Sequence, residues 1–210
     1  MRPHACDDCF RSRQQWGGGN AFDVLKKSLE TTSAANYLGI NAVHRTDKTV
    51  AGETKIERIF ARARYMIPER GKEHLEILYW DENSRIISHY LAKDGYYYDA
   101  IARTREVNQN TKPVEDMLTV MLHSDFKDGP GNLSMKETQD GYELRFSVPT
   151  PYDSTSCVIH VNGDYLMESI RRTHRYAVGE FSTKITERYD FRANELFSIS
   201  FPPALTVTGL

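Results

Sequence analysis

The sequence predicts an α+β protein dominated by antiparallel strands, and three observations carry that expectation. From Tyr142 to Val148, from Phe181 to Phe191 and from Phe197 to Phe201, bulky apolar residues alternate with polar ones, which gives each segment one apolar face. Asp94-Gly95, Asp140-Gly141 and Asn162-Gly163 stand between such segments as tight reversals, too short for parallel crossovers. Apolar residues at helical spacing occur around residues 21–35 and 113–125. The doubly wound nucleotide-binding folds are thereby excluded, and Gly17 to Gly19 follow no strand and make no phosphate loop.

In chain order, residues 1–19 read as a flexible tail and residues 20–205 as one domain, with 206–210 as a second tail. Asn20 is a candidate helix N-cap, followed by Phe22, Leu25 and Leu29 at helical spacing. Strands around 37–47 and 53–62 form a long hairpin, and Pro68 with Gly71 marks a turn. Two more strands are expected at 74–80 and 85–92, after which Asp94-Gly95 leads into Tyr96, Tyr97 and Tyr98. Pro113 opens a second helix whose stripe is Val114, Met117, Leu118, Met121 and Leu122, ending at Gly129-Pro130-Gly131. Alternating segments then run to Phe201.

Net charge is −2, with 27 basic against 29 acidic side chains, so no electrostatic footprint calls for nucleic acid. Arg171 to Arg175 form the densest basic run, but a strand divides its charges between two faces, and a solvated outer face is expected. No apolar stretch is long enough to span a membrane, so any membrane contact is peripheral. Met1 to Cys6 lack the apolar core of an export signal. Cys6 and Cys9 have the spacing of half a zinc site with no second pair, and Cys157 is expected to pack as a small apolar residue. His44, His89, His160 and His174 sit in strands without metal-ligand spacing and read as surface or cross-strand residues. No metal, cofactor or catalytic constellation is predicted.

The order of elements resembles the superfamily of the periplasmic lipoprotein carrier LolA, with its LppX- and LprG-type lipoproteins and RseB-type sensor domains. The resemblance lies in the leading helix from Phe22 to Leu29, the hairpin through Pro68, and the strand, Asp-Gly and aromatic strand unit from Ile86 to Tyr98. It continues through Asp140 to Leu144, Val158 to Leu166, and the closing Phe197 to Pro203. It implies an incomplete, half-open barrel: a curved antiparallel sheet with two or more helices covering a concave apolar face. It further implies a non-enzymatic protein of the bacterial cell envelope that binds a lipid, acyl chain or lipidated partner, or a sensor module that binds a protein partner.

The candidate ligand-binding residues are Tyr142, Leu144, Phe146, Phe181, Ile185, Tyr189, Phe197 and Ile199 from the strands, and Leu118 and Met121 from the second helix. The same side chains would serve equally as a filled core, since burying each stabilises the fold by about 1.5–3 kcal/mol.

Overall fold

A computed structural model describes residues 19–69, 72–93, 96–107, 132–149 and 153–201. Helix α1 (Gly19–Ser33) is followed by β1 (Tyr37–Val50), β2 (Glu53–Glu69), β3 (Lys72–Asp81), β4 (Ile86–Lys93), β5 (Tyr96–Asp99) and β6 (Thr104–Val107). The second run comprises β7 (Ser134–Thr138), β8 (Gly141–Pro149), β9 (Asp153–Asn162), β10 (Met167–Val178) and β11 (Phe181–Ala193). Among the described residues there is one helix. The expected second helix at 113–125, with Leu118 and Met121, lies outside them, as do both predicted tails save Gly19.

All eleven strands join one antiparallel sheet in the order β6-β5-β4-β3-β2-β1-β11-β10-β9-β8-β7. The first and last strands meet at its centre, where Leu38 faces Ala193 and Val50 faces Phe181. Two wings spread from that seam, β2 to β6 on one side and β10 to β7 on the other. β6 and β7 at the two edges do not pair with each other, so the sheet stays open.

The alternation of side chains fixes which residues share a face. On β1, Leu38, Ile40 and Ala42 point to the side covered by α1, here called the inner face, and Gly39 and Asn41 to the outer. α1 contributes Ala21, Val24, Leu25, Ser28 and Thr32 at helical spacing, all buried. Thr32 ties helix to sheet, its Oγ1 accepting the Met167 N–H at 2.9 Å. One buried cluster runs from Leu75 and Ala92, through α1, to Leu144 and Ile159.

Turn chemistry explains the hairpins. Ala51 and Gly52 both adopt positive φ, 49° and 85°, as a two-residue reversal of this hand requires. Asn162 Oδ1 accepts the N–H groups of Asp164 and Leu166, each at 3.0 Å, and holds the turn from β9 into β10. At Gly141 a Cβ would overlap the Val161 carbonyl oxygen and lie 2.6 Å from the Asn162 carbonyl carbon, so only glycine fits.

Three expectations need correction. Pro68 lies inside β2, at a register irregularity between Met66 and Glu69, and does not end the strand. The long hairpin turns at Ala51-Gly52, its strands running on through the polar Thr46 to Thr49. Phe197 to Phe201 form no strand. Phe197 stands edge-on to Tyr37 at 5.7 Å and beside Gly39 on the outer face, and Phe201 stands against His74 at 5.3 Å.

An alanine-floored inner face as the candidate functional site

The inner face differs between its two wings. Under α1, Leu144, Ile159 and Ile170 are 0% exposed. Across the seam, Ala63, Ile67, Ile77, Tyr79 and Tyr97 are only partly buried, and Tyr90 is 38% exposed. Apolar side chains kept half-open on the inside of a sheet are the feature most in need of an occupant.

Register shows the shape of this region. Tyr189 faces Ala42, Ala42 faces Ala61, and Ala61 faces Tyr79, so two alanines lie between two tyrosines across four adjacent strands. In the next row Phe191, Ile40, Ala63, Ile77 and Tyr90 follow one another. With strands about 4.8 Å apart, Tyr79 and Tyr189 stand on backbones roughly 14 Å apart. Alanine fills little of that span, although Ala42 and Ala61 are themselves buried, at 6% and 8% exposed, and Ala63 is partly buried; this alanine row between aromatic rings is here called the trough. Burial raises the pKa of the Tyr79 phenol, with Tyr90 adding to the effect. Burial also pushes Tyr189 far up, followed by the Glu187 carboxylate, with a smaller contribution from Tyr79. Both phenols therefore stay neutral donors at the trough walls.

A polar row crosses the inner face at one end of the trough. His44, Glu187 and Arg172 are consecutive neighbours on β1, β11 and β10. His44 Nδ1 lies 3.2 Å from Glu187 Oε1, and Arg172 Nε lies 3.1 Å from Glu187 Oε2. The His44 ring stands edge-on to Tyr189 at 5.4 Å. Burial pushes the Glu187 pKa up, but the His44 hydrogen bond and the Arg172 charge outweigh it and hold the carboxyl below its ordinary value. Arg172 is buried, which is unusual for arginine and marks a place where charge is held among apolar groups.

The sequence-predicted residues fall into three groups. Leu144 and Phe146 are buried under the helix wing, and Tyr142 lies at its rim, stacked on Tyr165 at 5.6 Å. Tyr189 and Ile185 lie on the inner face of β11 either side of the polar row, and Phe181 on the same side at the strand's far end. Phe197 lies beside Gly39 on the outer face, and Ile199 is on the irregular segment after β11. Alanines 42, 61 and 63, tyrosines 79, 90 and 97, and the polar row were missed. The strand ranges 37–47 and 74–80 contain Ala42, His44 and Tyr79, but alanine gives no apolar signal strong enough to mark a floor.

The histidines are cross-strand residues. His89 Nε2 reaches Glu76 Oε1 diagonally at 3.3 Å, His160 faces Glu143 at 3.8 Å, and His174 Nδ1 lies 2.7 Å from Thr155 Oγ1. Cys157 is buried beside Phe146 and Arg172 in the register. Among the described residues no group of three His, Cys, Asp or Glu side chains is placed to hold a metal, and no helix is long and apolar enough to cross a membrane.

Fold and site define a class: an open antiparallel sheet with a helix over part of one apolar face. The chain resembles LolA-like proteins in this order of elements. It is similar to LprF from Mycobacterium bovis at 10% identity and a TM-score of 0.38, over 89% of this chain and 97% of that one. It is similar to the LolA superfamily protein NE2245 from Nitrosomonas europaea at 10% identity and a TM-score of 0.31, over 84% and 94%. A DUF1329 family protein from Desulfovibrio piger gives 8% identity and a TM-score of 0.32, over 86% and 94%. No family model and no curated protein matches the chain.

Proposed function

We propose that the chain is a non-enzymatic binder of an acyl chain or lipid, held in the trough over Ala42, Ala61 and Ala63. The observation that carries this is the half-open apolar lining of the β2 to β5 wing, where Ile77, Tyr79, Tyr90 and Tyr97 keep surface that the opposite wing buries. At about 25 cal/mol per Å², covering that surface with an alkyl chain is favourable without any covalent chemistry. The polar row supplies what an amphiphile needs at its other end: the His44 imidazole and the Arg172 guanidinium, with Glu187 between them. The Tyr79 and Tyr189 hydroxyls offer further donors at the trough walls. Tyr189 and Ile185, among the residues singled out by sequence, border this site. Residence in the bacterial cell envelope belongs to the same proposal.

Native mass spectrometry of the purified chain, repeated after organic-solvent extraction, tests this reading. The expected result is a stoichiometric apolar ligand on the wild type and none on Ala61→Trp, whose indole fills the trough. A ligand-free wild type that also fails to take up added fatty acid or phospholipid would sink the proposal. Capture of a protein partner by that ligand-free chain would favour the sensor reading instead.

A further inference from the structure

The large apolar side chains left in solvent are not scattered. Among the described residues nine of the eleven, namely all but Tyr90 and Leu196, lie at the end of the sheet where the turns 51–52, 82–85, 100–103 and 179–180 come together. Scattered singles would be ordinary surface, whereas polarisation to one end indicates a contact. The two central hairpins project furthest, since β3 ends opposite Ile59 while β2 continues to Glu53. Their tips are joined by a hydrogen bond from the Ala51 N–H to the Glu180 carbonyl, 3.3 Å. At this tip Val50 faces Phe181 and Phe181 faces Val178, with 56%, 38% and 49% of their surfaces exposed.

Behind the tip, the outer face is basic. Arg45 faces Arg58, Arg171 faces Arg188 and Arg175 faces Lys184 as direct cross-strand pairs. Like charges directly opposite one another destabilise a sheet, and three such pairs stand together here. Arg45 and Arg188 are compensated by Asp47 and Asp190, but Arg58, Arg171, Arg175 and Lys184 carry no ion pair among the described residues. Segments 45–58 and 171–188 hold nine basic against five acidic side chains in a chain whose net charge is −2.

From the apolar tip and the basic flank together we infer that this end of the sheet docks on the surface of a bilayer carrying anionic lipid. Val50, Val178 and Phe181 enter the interface; Arg175 and Lys184, about 10 Å back along their strands, lie at the level of the lipid phosphates, and Arg58 and Arg171, about 16 to 23 Å back, add longer-range attraction from the outer face. Charge complementarity selects an anionic surface, and the exposed aliphatic cluster at the very tip favours a bilayer over a nucleic acid, whose backbone offers nothing for valines to bury against. The docking surface is outside the trough. It deepens the lipid-binding reading by placing the carrier where its ligand is, yet stands on separate residues.

Vesicle flotation with the full chain tests it, using phosphatidylcholine alone against phosphatidylcholine with phosphatidylglycerol. Binding is expected only to the second, weakening as salt rises. Arg171→Ser, Arg175→Ser and Lys184→Ser combined should lower the affinity on the order of a hundredfold, and Val50→Ser with Phe181→Ser should lower it at unchanged charge. Ala61→Trp should dock as the wild type does, so loss of ligand binding and loss of docking are read separately. Absence of flotation, equal flotation with both lipids, or binding to a single-stranded oligonucleotide as tight as to the anionic vesicles would overturn the inference.

Discussion

The two wings of the sheet arise from the same alternation but treat their inner side chains differently. On β8 to β10 the inward row is branched and bulky, α1 lies over it, and Leu144, Ile159 and Ile170 have no solvent contact. On β2 to β5 Ala61, Tyr65, Leu75 and Ala92 are buried, while Ile77, Tyr79 and Tyr97 remain partly open. One inner face is thus treated in two ways: one wing supplies most of the fully buried core, and the other leaves part of its apolar surface open, as the proposed lipid site requires.

The sharpest way to break the comparison is to truncate each wing in turn. Leu144→Ala should cost about 2–5 kcal/mol, as expected for a filled site that cannot collapse. Ile77→Ala, only partly buried, should cost less, about 1–2 kcal/mol in the ligand-free protein. Urea denaturation measures both, and equal losses would mean the wings are packed alike. Next in size is Thr32→Val, which leaves the Met167 N–H without its partner and should cost about 1–3 kcal/mol.

A smaller, pH-dependent effect separates the polar row from either wing. The Glu187 pKa is held below its unfolded value by His44 and Arg172, so it contributes stability at neutral pH that is lost as pH falls through its lower folded value. Glu187→Gln should therefore flatten the acid side of the stability profile. If melting temperatures of the two proteins fall in parallel below pH 5, the carboxylate is not held as described.

Much of the architecture was legible in the sequence because alternation and turn residues are local signals. Asp140-Gly141 and Asn162-Gly163 marked hairpins that the structure contains, and His44, His89, His160 and His174, read as surface or cross-strand residues, sit in strands. What was not legible depends on distance in the chain. The His44, Glu187 and Arg172 row forms only because the first and last strands pair, which no local pattern announces. Phe197 to Phe201 alternate as well as any strand, yet Phe197 turns to the outer face and packs over Gly39 and Tyr37. The buried Arg172 sat within a basic run whose alternate members, Arg171 and Arg175, do face solvent.

The account rests on the open wing being the ligand surface, and a titration with a fluorescent polyene fatty acid tests that most directly. Wild type, Ala61→Trp and Leu144→Ala would be compared under conditions where each remains folded. The account predicts saturable binding to wild type and to Leu144→Ala and none to Ala61→Trp. Binding that survives Ala61→Trp but disappears in Leu144→Ala would place the ligand under α1 and contradict it.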